Sequence, residues 1–416
     1  MGNATLDNES ETTWTNESRP QLLVPRTGEK RTRVEAGCVV SQTEALKETL
    51  CQHVVGQDDA IEKLICASTR LLSGLRDPER PLLTALLLGP TGVGKTETAK
   101  ALARALFGSP HAMTRVNCEE FSHGHEVSKL LGSPPGYVGS DVEPLLSQRN
   151  IDAAHRAHRQ ARQAGEADPT LVDELHDGED GYYHSLVLFD EIEKAHPTVW
   201  NALLGILDDG MLSLGDNEEV DLTRSIILLT SNVGSRKMGE LLDGSSLGFH
   251  TENGNAAPKP ASLEGAALEA AAKEFPPEFL NRFDEILVYQ PLEPDHLEQI
   301  LDKFISEVHR RALDSETPLV LDLSPEARAQ LIEEGTDPRF GARPLRRTVE
   351  SEIVGPLSRL IATGALKAGD VVEVDLEEDG LAFYRVGRRR GARFDAGAET
   401  PVGGAEEATG EDREGP

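Results

Sequence analysis

The chain has 416 residues, of which 38% are apolar and only 4% aromatic, and its 72 acidic and 42 basic side chains leave a net charge of −30. That length accommodates two or three domains with cores of their own, while the negative balance argues against non-specific binding to nucleic acid or to an anionic membrane. No apolar run is long enough to cross a bilayer, and the richest stretch, residues 82–88, is only strand-sized.

Residues 1–40 are polar, lack apolar periodicity and read as a disordered N-terminal segment. They hold no apolar signal region, and Leu6 stands where a myristoylation signal needs Ser or Thr. The sequons at Asn3, Asn8 and Asn16 are therefore read as accidental and the chain as cytoplasmic. The four cysteines, Cys38, Cys51, Cys66 and Cys118, form no CxxC pair and read as thiols in a reducing compartment.

From residue 41 to 291, short apolar runs alternate with helical patterns. Strands are expected at 83–89, 113–117, 185–190, 225–231 and 285–290, with helices between them such as 96–106 and 197–207. That alternation predicts an α/β domain with a mostly parallel sheet flanked by helices. Within it, about 142–184 reads as an insertion, with a His/Arg-rich helix (AAHRAHRQARQAG) followed by the acidic DELHDGED. His155, His158, His176 and His184 match no metal-ligand spacing, so the segment reads as a solvated charged helix. Beyond Pro291, helices at 294–313, 324–335 and 343–363 and two short strands, 371–376 and 381–386, predict a small, mainly helical α+β domain over 292–387. Residues 388–416 read as a disordered acidic tail.

Two motifs carry the chemistry. Gly89-Pro90-Thr91-Gly92-Val93-Gly94-Lys95-Thr96 fits a phosphate-binding loop and lies between an expected strand and an expected helix. Its glycines let backbone N–H groups turn towards phosphate oxygens, and the helix start adds a positive dipole end. Lys95 would reach the β- and γ-phosphates of ATP, and Thr96 would ligate Mg²⁺. In LVLFDE (186–191), a buried strand delivers two carboxylates to the sheet edge. Asp190 would hold Mg²⁺ through water, and Glu191 would polarise the attacking water.

Around these motifs, VVGQDDAI (54–61), VLFDEIEKAHP (187–197), LLTSNVGS (228–235), PPEFLNRFDEIL (276–287) and RFGARPLRR (339–347) occur in the order in which the Clp family of AAA+ ATPases carries them. Over roughly residues 40–387 the chain resembles the C-terminal ATPase module of those protein unfoldases. The resemblance implies that Val54 and Val55 pack on adenine, that Asn232 is the sensor that orients the water, and that Arg343 is the second sensor. It also implies that Arg282 is an arginine finger reaching the next subunit, and hence a homo-hexameric ring. Gly136-Tyr137-Val138-Gly139 matches the family's pore loop, in which the aromatic ring grips an unfolded protein substrate. Leu247-Gly248-Phe249 resembles the tripeptide with which peptidase-associated members dock on a ClpP-type peptidase.

Two stretches depart from the family pattern: the insertion, and LSLGDNEEVDLTRS (212–225) before the sensor strand. In the family these regions face the channel or its entrance. The function expected is ATP-driven protein unfolding by threading, with a peptidase as partner. The alternatives are a non-threading regulatory or assembly ATPase, or a peptidase-independent disaggregase. A nucleic-acid motor conflicts with the acidity, because the only basic cluster, Arg385, Arg388, Arg389, Arg390 and Arg393, runs into the acidic tail.

Overall fold

The computed structural model describes residues 41–73, 77–137, 141–174, 184–242, 260–337, 341–378 and 380–388. Val138, Gly139, His176, Leu247, Gly248 and Phe249 lie outside them.

Helices α1 (Ser41–His53) and α2 (Asp58–Ser73) lead into β1 (Leu83–Leu88), α3 (Lys95–Phe107), β2 (Thr114–Asn117) and the short α4 (Val127–Leu131). Three helices, α5 (Gln148–Ile151), α6 (Ala153–Ala164) and α7 (Leu171–Glu174), precede β3 (Ser185–Asp190). The chain continues through α8 (Pro197–Asp209), a hairpin of β4 (Met211–Ser213) and β5 (Glu219–Asp221), then β6 (Ser225–Ser231). Next come α9 (Ser235–Leu242), α10 (Pro260–Glu274), α11 (Pro277–Leu280) and β7 (Glu285–Val288).

Five strands form one sheet in the order β2-β3-β6-β1-β7, all parallel. Every residue of β1, β3 and β6 is buried, which is why these strands read as unbroken apolar runs: helices cover both faces of the sheet. Side chains alternate between two cores. Leu86, Leu88, Val187, Phe189, Ile227 and Leu229 join one with Phe275 and Phe279. Ala85, Leu87, Leu186, Leu188, Ile226 and Leu228 join the other with residues of α1, α2 and α3. Cutting Leu87 to Ala would cost about 2–5 kcal/mol, because such a site cannot collapse around the void.

The strand order positions the site. With β6 between β3 and β1, the ends of all three strands lie side by side at the carboxyl edge of the sheet, where open α/β sheets bind ligands.

The C-terminal part has a core of its own. It comprises α12 (Pro294–Leu313), β8 (Val320–Leu323), α13 (Pro325–Gly335), α14 (Arg343–Val349), α15 (Gly355–Ala362), β9 (Asp370–Glu377) and β10 (Gly380–Arg388). Its three strands run β10-β9-β8. Ser324 caps α13 as its sequence implies, its hydroxyl accepting from the Ala327 N–H at 3.1 Å with Pro325 next in the chain. The helix expected over 343–363 runs without a gap from Arg343 to Ala362, but not as one regular α-helix. A π turn over Glu350–Val354 separates α14 from α15, and the Gly355 N–H bonds Glu350 O, because Pro356 has no N–H with which to continue the α ladder. Strand β8 was not expected.

The insertion also differs from its reading. Helix α6 is not solvated all round: His155 and His158 are buried, and α6 and α7 both pack on α3. The His184 N–H donates to His155 Nδ1 at 2.7 Å, and His158 Nε2 lies 3.1 Å from both Asp173 Oδ2 and Thr170 Oγ1. Thr170 in turn donates to Leu106 O at the end of α3 at 2.5 Å. These histidines are core groups because each finds a polar partner when buried. Cys51 and Cys118 are free thiols, and Cys38 lies outside the described residues. Among the described residues no helix is long and apolar enough to cross a membrane.

Candidate active site

The phosphate-loop motif forms the turn from β1 into α3. Gly89, Gly92 and Gly94 have φ of 145°, 79° and 111°, values that side chains with a Cβ rarely adopt. Lys95 opens α3 and is only 7% exposed. Its Nζ donates to Gly89 O and Pro90 O, each at 2.7 Å, and to Asn232 Oδ1 at 2.9 Å. Burial lowers the Lys95 pKa to about 8 against the pull of Glu193, Asp190 and Glu191, with Arg343 adding to the lowering. Such an ammonium gains when an anion enters the cleft.

The acids follow β3. Asp190 Oδ1 accepts from Thr230 Oγ1 at 2.5 Å and from Thr96 Oγ1 at 3.2 Å. Thr230, buried on β6, also accepts the Glu191 N–H at 3.0 Å. Glu191 takes a left-handed conformation, φ 59° and ψ 54°, which costs a non-glycine residue roughly 1–2 kcal/mol. The turn is held all the same, and it brings the Glu191 carboxylate to the end of β6, where Asn232 Nδ2 donates to Oε1 at 3.3 Å. Lys194 Nζ holds Oε2 at 2.6 Å. The Asn232 amide thus faces Lys95 with its oxygen and Glu191 with its nitrogen, while its backbone N–H donates to Glu193 Oε1 at 3.1 Å. Thr230 joins the site unannounced by any spacing, since the pairing of β3 with β6 brings it there, while Glu193 and Lys194 follow Glu191 closely in the chain.

Val54 and Val55 are buried at the cleft wall. Gln57 ties their loop to the end of β7: its Nε2 donates to Gln290 O and its Oε1 accepts the Gln290 N–H, both at 2.9 Å. From the C-terminal part, Arg343 lines the same cleft, and the Ala342 N–H donates to Gly92 O at 3.2 Å. Gly341 (φ 57°) fits here because a Cβ would lie 2.7 Å from Thr91 O.

Arg282 and Tyr137 stand apart from this set. The Arg282 guanidinium pairs with Asp208 and donates to Leu204 O at 2.8 Å, and it does not line the cleft. Tyr137 is 70% exposed.

A cleft joining a P-loop motif, two strand-end acids, a strand-end asparagine and an arginine from a second core is the arrangement of AAA ATPases, and sequence comparison agrees. The model of the AAA domain (Cdc48 subfamily) matches residues 80–156 and 149–286, and that of the C-terminal, D2-small domain of ClpB protein matches 292–374. The chain belongs to the Clp family of AAA+ ATPases. Among its Clp relatives are chaperone protein ClpB 1 of Synechococcus elongatus (37% identical over 82% of this chain and 34% of that protein) and the ATP-dependent Clp protease ATP-binding subunit ClpC of Staphylococcus saprophyticus (37%, over 84% and 38%). A ClpA homolog from Guillardia theta is 35% identical over 90% of this chain and 42% of that protein. The chain therefore spans only about a third to two-fifths of the length of these Clp proteins. The two segments matched by the AAA model overlap at residues 149–156, within α5 and α6.

Proposed function

We propose that the chain hydrolyses ATP in this cleft and spends the energy pulling protein substrates through the pore of a homo-hexameric ring. The observation that carries this reading is the continuous network Lys95–Asn232–Glu191, with Asp190 and Thr96 beside it. Gly89 to Lys95 cradle the phosphates, and Val54 and Val55 pack on the base. Glu191 is the general base, its water oriented by Asn232, while Arg343 reports nucleotide state from the small domain. Thr96 and Asp190 offer only hard oxygen donors, which fit Mg²⁺, and the ion supplies charge neutralisation of the phosphates when bound with nucleotide. Arg282 serves the neighbouring subunit's site, a reading supported by its position outside its own cleft. Residues 41–291 act as the large domain and 292–387 as the small one, and the chain works in the cytoplasm.

Exposed Tyr137, in the family's pore loop, grips the substrate with sequence-tolerant apolar contact. Leu247, Gly248 and Phe249 dock a ClpP-type peptidase. Degradation of a tagged, stably folded protein with ATP and such a peptidase tests this, and Phe249→Ala should abolish degradation while ATP hydrolysis continues. A second reading, peptidase-independent disaggregation, is favoured by the match to the ClpB small domain and by relatives named as ClpB chaperones. Recovery of aggregated protein without any peptidase, and no peptidase binding, would select it.

A further inference from the structure

Arg115 has no place in the roles above, yet it forms an ion pair with the carboxylate read as holding the metal. It is the second residue of β2, in register with Leu188 of β3, two positions before the Asn117–Asp190 pair. Two strand residues span about 6–7 Å, which an arginine side chain can cover. Arg115 Nη2 reaches Asp190 Oδ2 at 2.5 Å, while Thr230 and Thr96 occupy Oδ1. Asp190 is nearly buried and Arg115 is half exposed on the cleft wall.

A buried carboxylate without a counter-charge is costly, so in the nucleotide-free chain the guanidinium compensates Asp190. The same positive charge then lies next to the place a divalent cation must take, and like charges at such a distance repel. Resting on the reading of Thr96 and Asp190 as Mg²⁺ ligands, the geometry points to Arg115 as a positioning residue that sets how tightly the ion is held. It fixes the carboxylate and offsets part of its charge, keeping Mg²⁺ with spent nucleotide releasable between turnovers.

The test is the Mg²⁺ dependence of binding of a fluorescent ADP analogue to the full chain, without turnover. Arg115→Gln should lower the half-saturating Mg²⁺ concentration about three- to tenfold, the range left after solvent screening of a half-exposed charge. Arg115→Lys, which keeps the charge, should stay within about twofold of wild type. Added salt should shrink the difference. Replacing a half-exposed side chain opens no cavity, and coincident thermal melts would verify that the variants fold. An unchanged or raised Mg²⁺ requirement in Arg115→Gln overturns the proposal, as does a Lys variant that behaves like Gln. Asp190→Asn separates the two layers. If it abolishes the Mg²⁺ dependence, a null result at Arg115 counts against Arg115 alone. If it leaves the dependence intact, the metal assignment and the proposal fall together.

Discussion

The cleft at the strand ends and the segment around Arg282 use the same kinds of side chain to opposite ends. In the cleft, Lys95, Asn232, Glu191, Asp190, Thr230 and Thr96 bond one another, so the chain assembles most of a phosphate-transfer site by itself. Arg282 instead spends its guanidinium on Asp208 and Leu204 O of α8. Held on the end of α8 and away from its own cleft, that guanidinium is free to serve, as proposed, the site of a neighbouring copy. Cleft variants should therefore divide between binding and chemistry according to the residue changed, and Arg282 variants should change chemistry alone.

The largest break should come from Glu191→Gln. It keeps the phosphate cradle but loses the base, so turnover should fall by about 10³-fold while nucleotide binding persists, as read by phosphate release beside equilibrium binding. Wild-type turnover in this variant would remove Glu191 from the chemistry. Lys95→Ala should act the other way, weakening nucleotide binding by about a hundredfold through loss of the buried cation. A dissociation constant within twofold of wild type would contradict that.

The difference between regions also explains what could be read in advance. The P-loop was legible because phosphate binding demands contiguous residues on one turn, and β1, β6 and β3 with its closing acids because burial on both faces makes those strands largely apolar. Thr230 and Arg115 were not, because each acts across neighbouring strands and a sequence does not print strand order. The α6 histidines misled for a related reason. His155 and His158 recur at a helical spacing among arginines and look solvated, until the His184 N–H before β3 and Asp173 of α7 supply partners. The contact of Gly341 with the P-loop was equally hidden, since it joins residues that are remote in sequence.

That contact gives a smaller test. Gly341→Ala puts a Cβ 2.7 Å from Thr91 O at a left-handed position. The strain, about 1–2 kcal/mol, should separate the small domain from the P-loop and slow turnover about tenfold, with the global melting temperature only slightly lowered. Turnover equal to wild type would mean that the contact transmits nothing. Lys194→Ala should have the smallest effect, about threefold on kcat with unchanged KM, because the half-exposed ammonium holds Glu191 Oε2 without touching substrate. An equal change in KM would mean that Lys194 contributes to nucleotide binding.

If each site is completed by a second copy of the chain, as proposed, mixing two defective variants should restore activity. Arg282→Ala alone should lose about 10³-fold in kcat at near-normal nucleotide affinity. Combined in equal amounts with Glu191→Gln, it should regain up to about a quarter of wild-type ATPase activity, the share of random neighbour pairs in which an intact glutamate faces an intact arginine. Activity no greater than the sum of the two separate variants, or a dilute monomer that hydrolyses ATP at the full rate, would contradict a shared site.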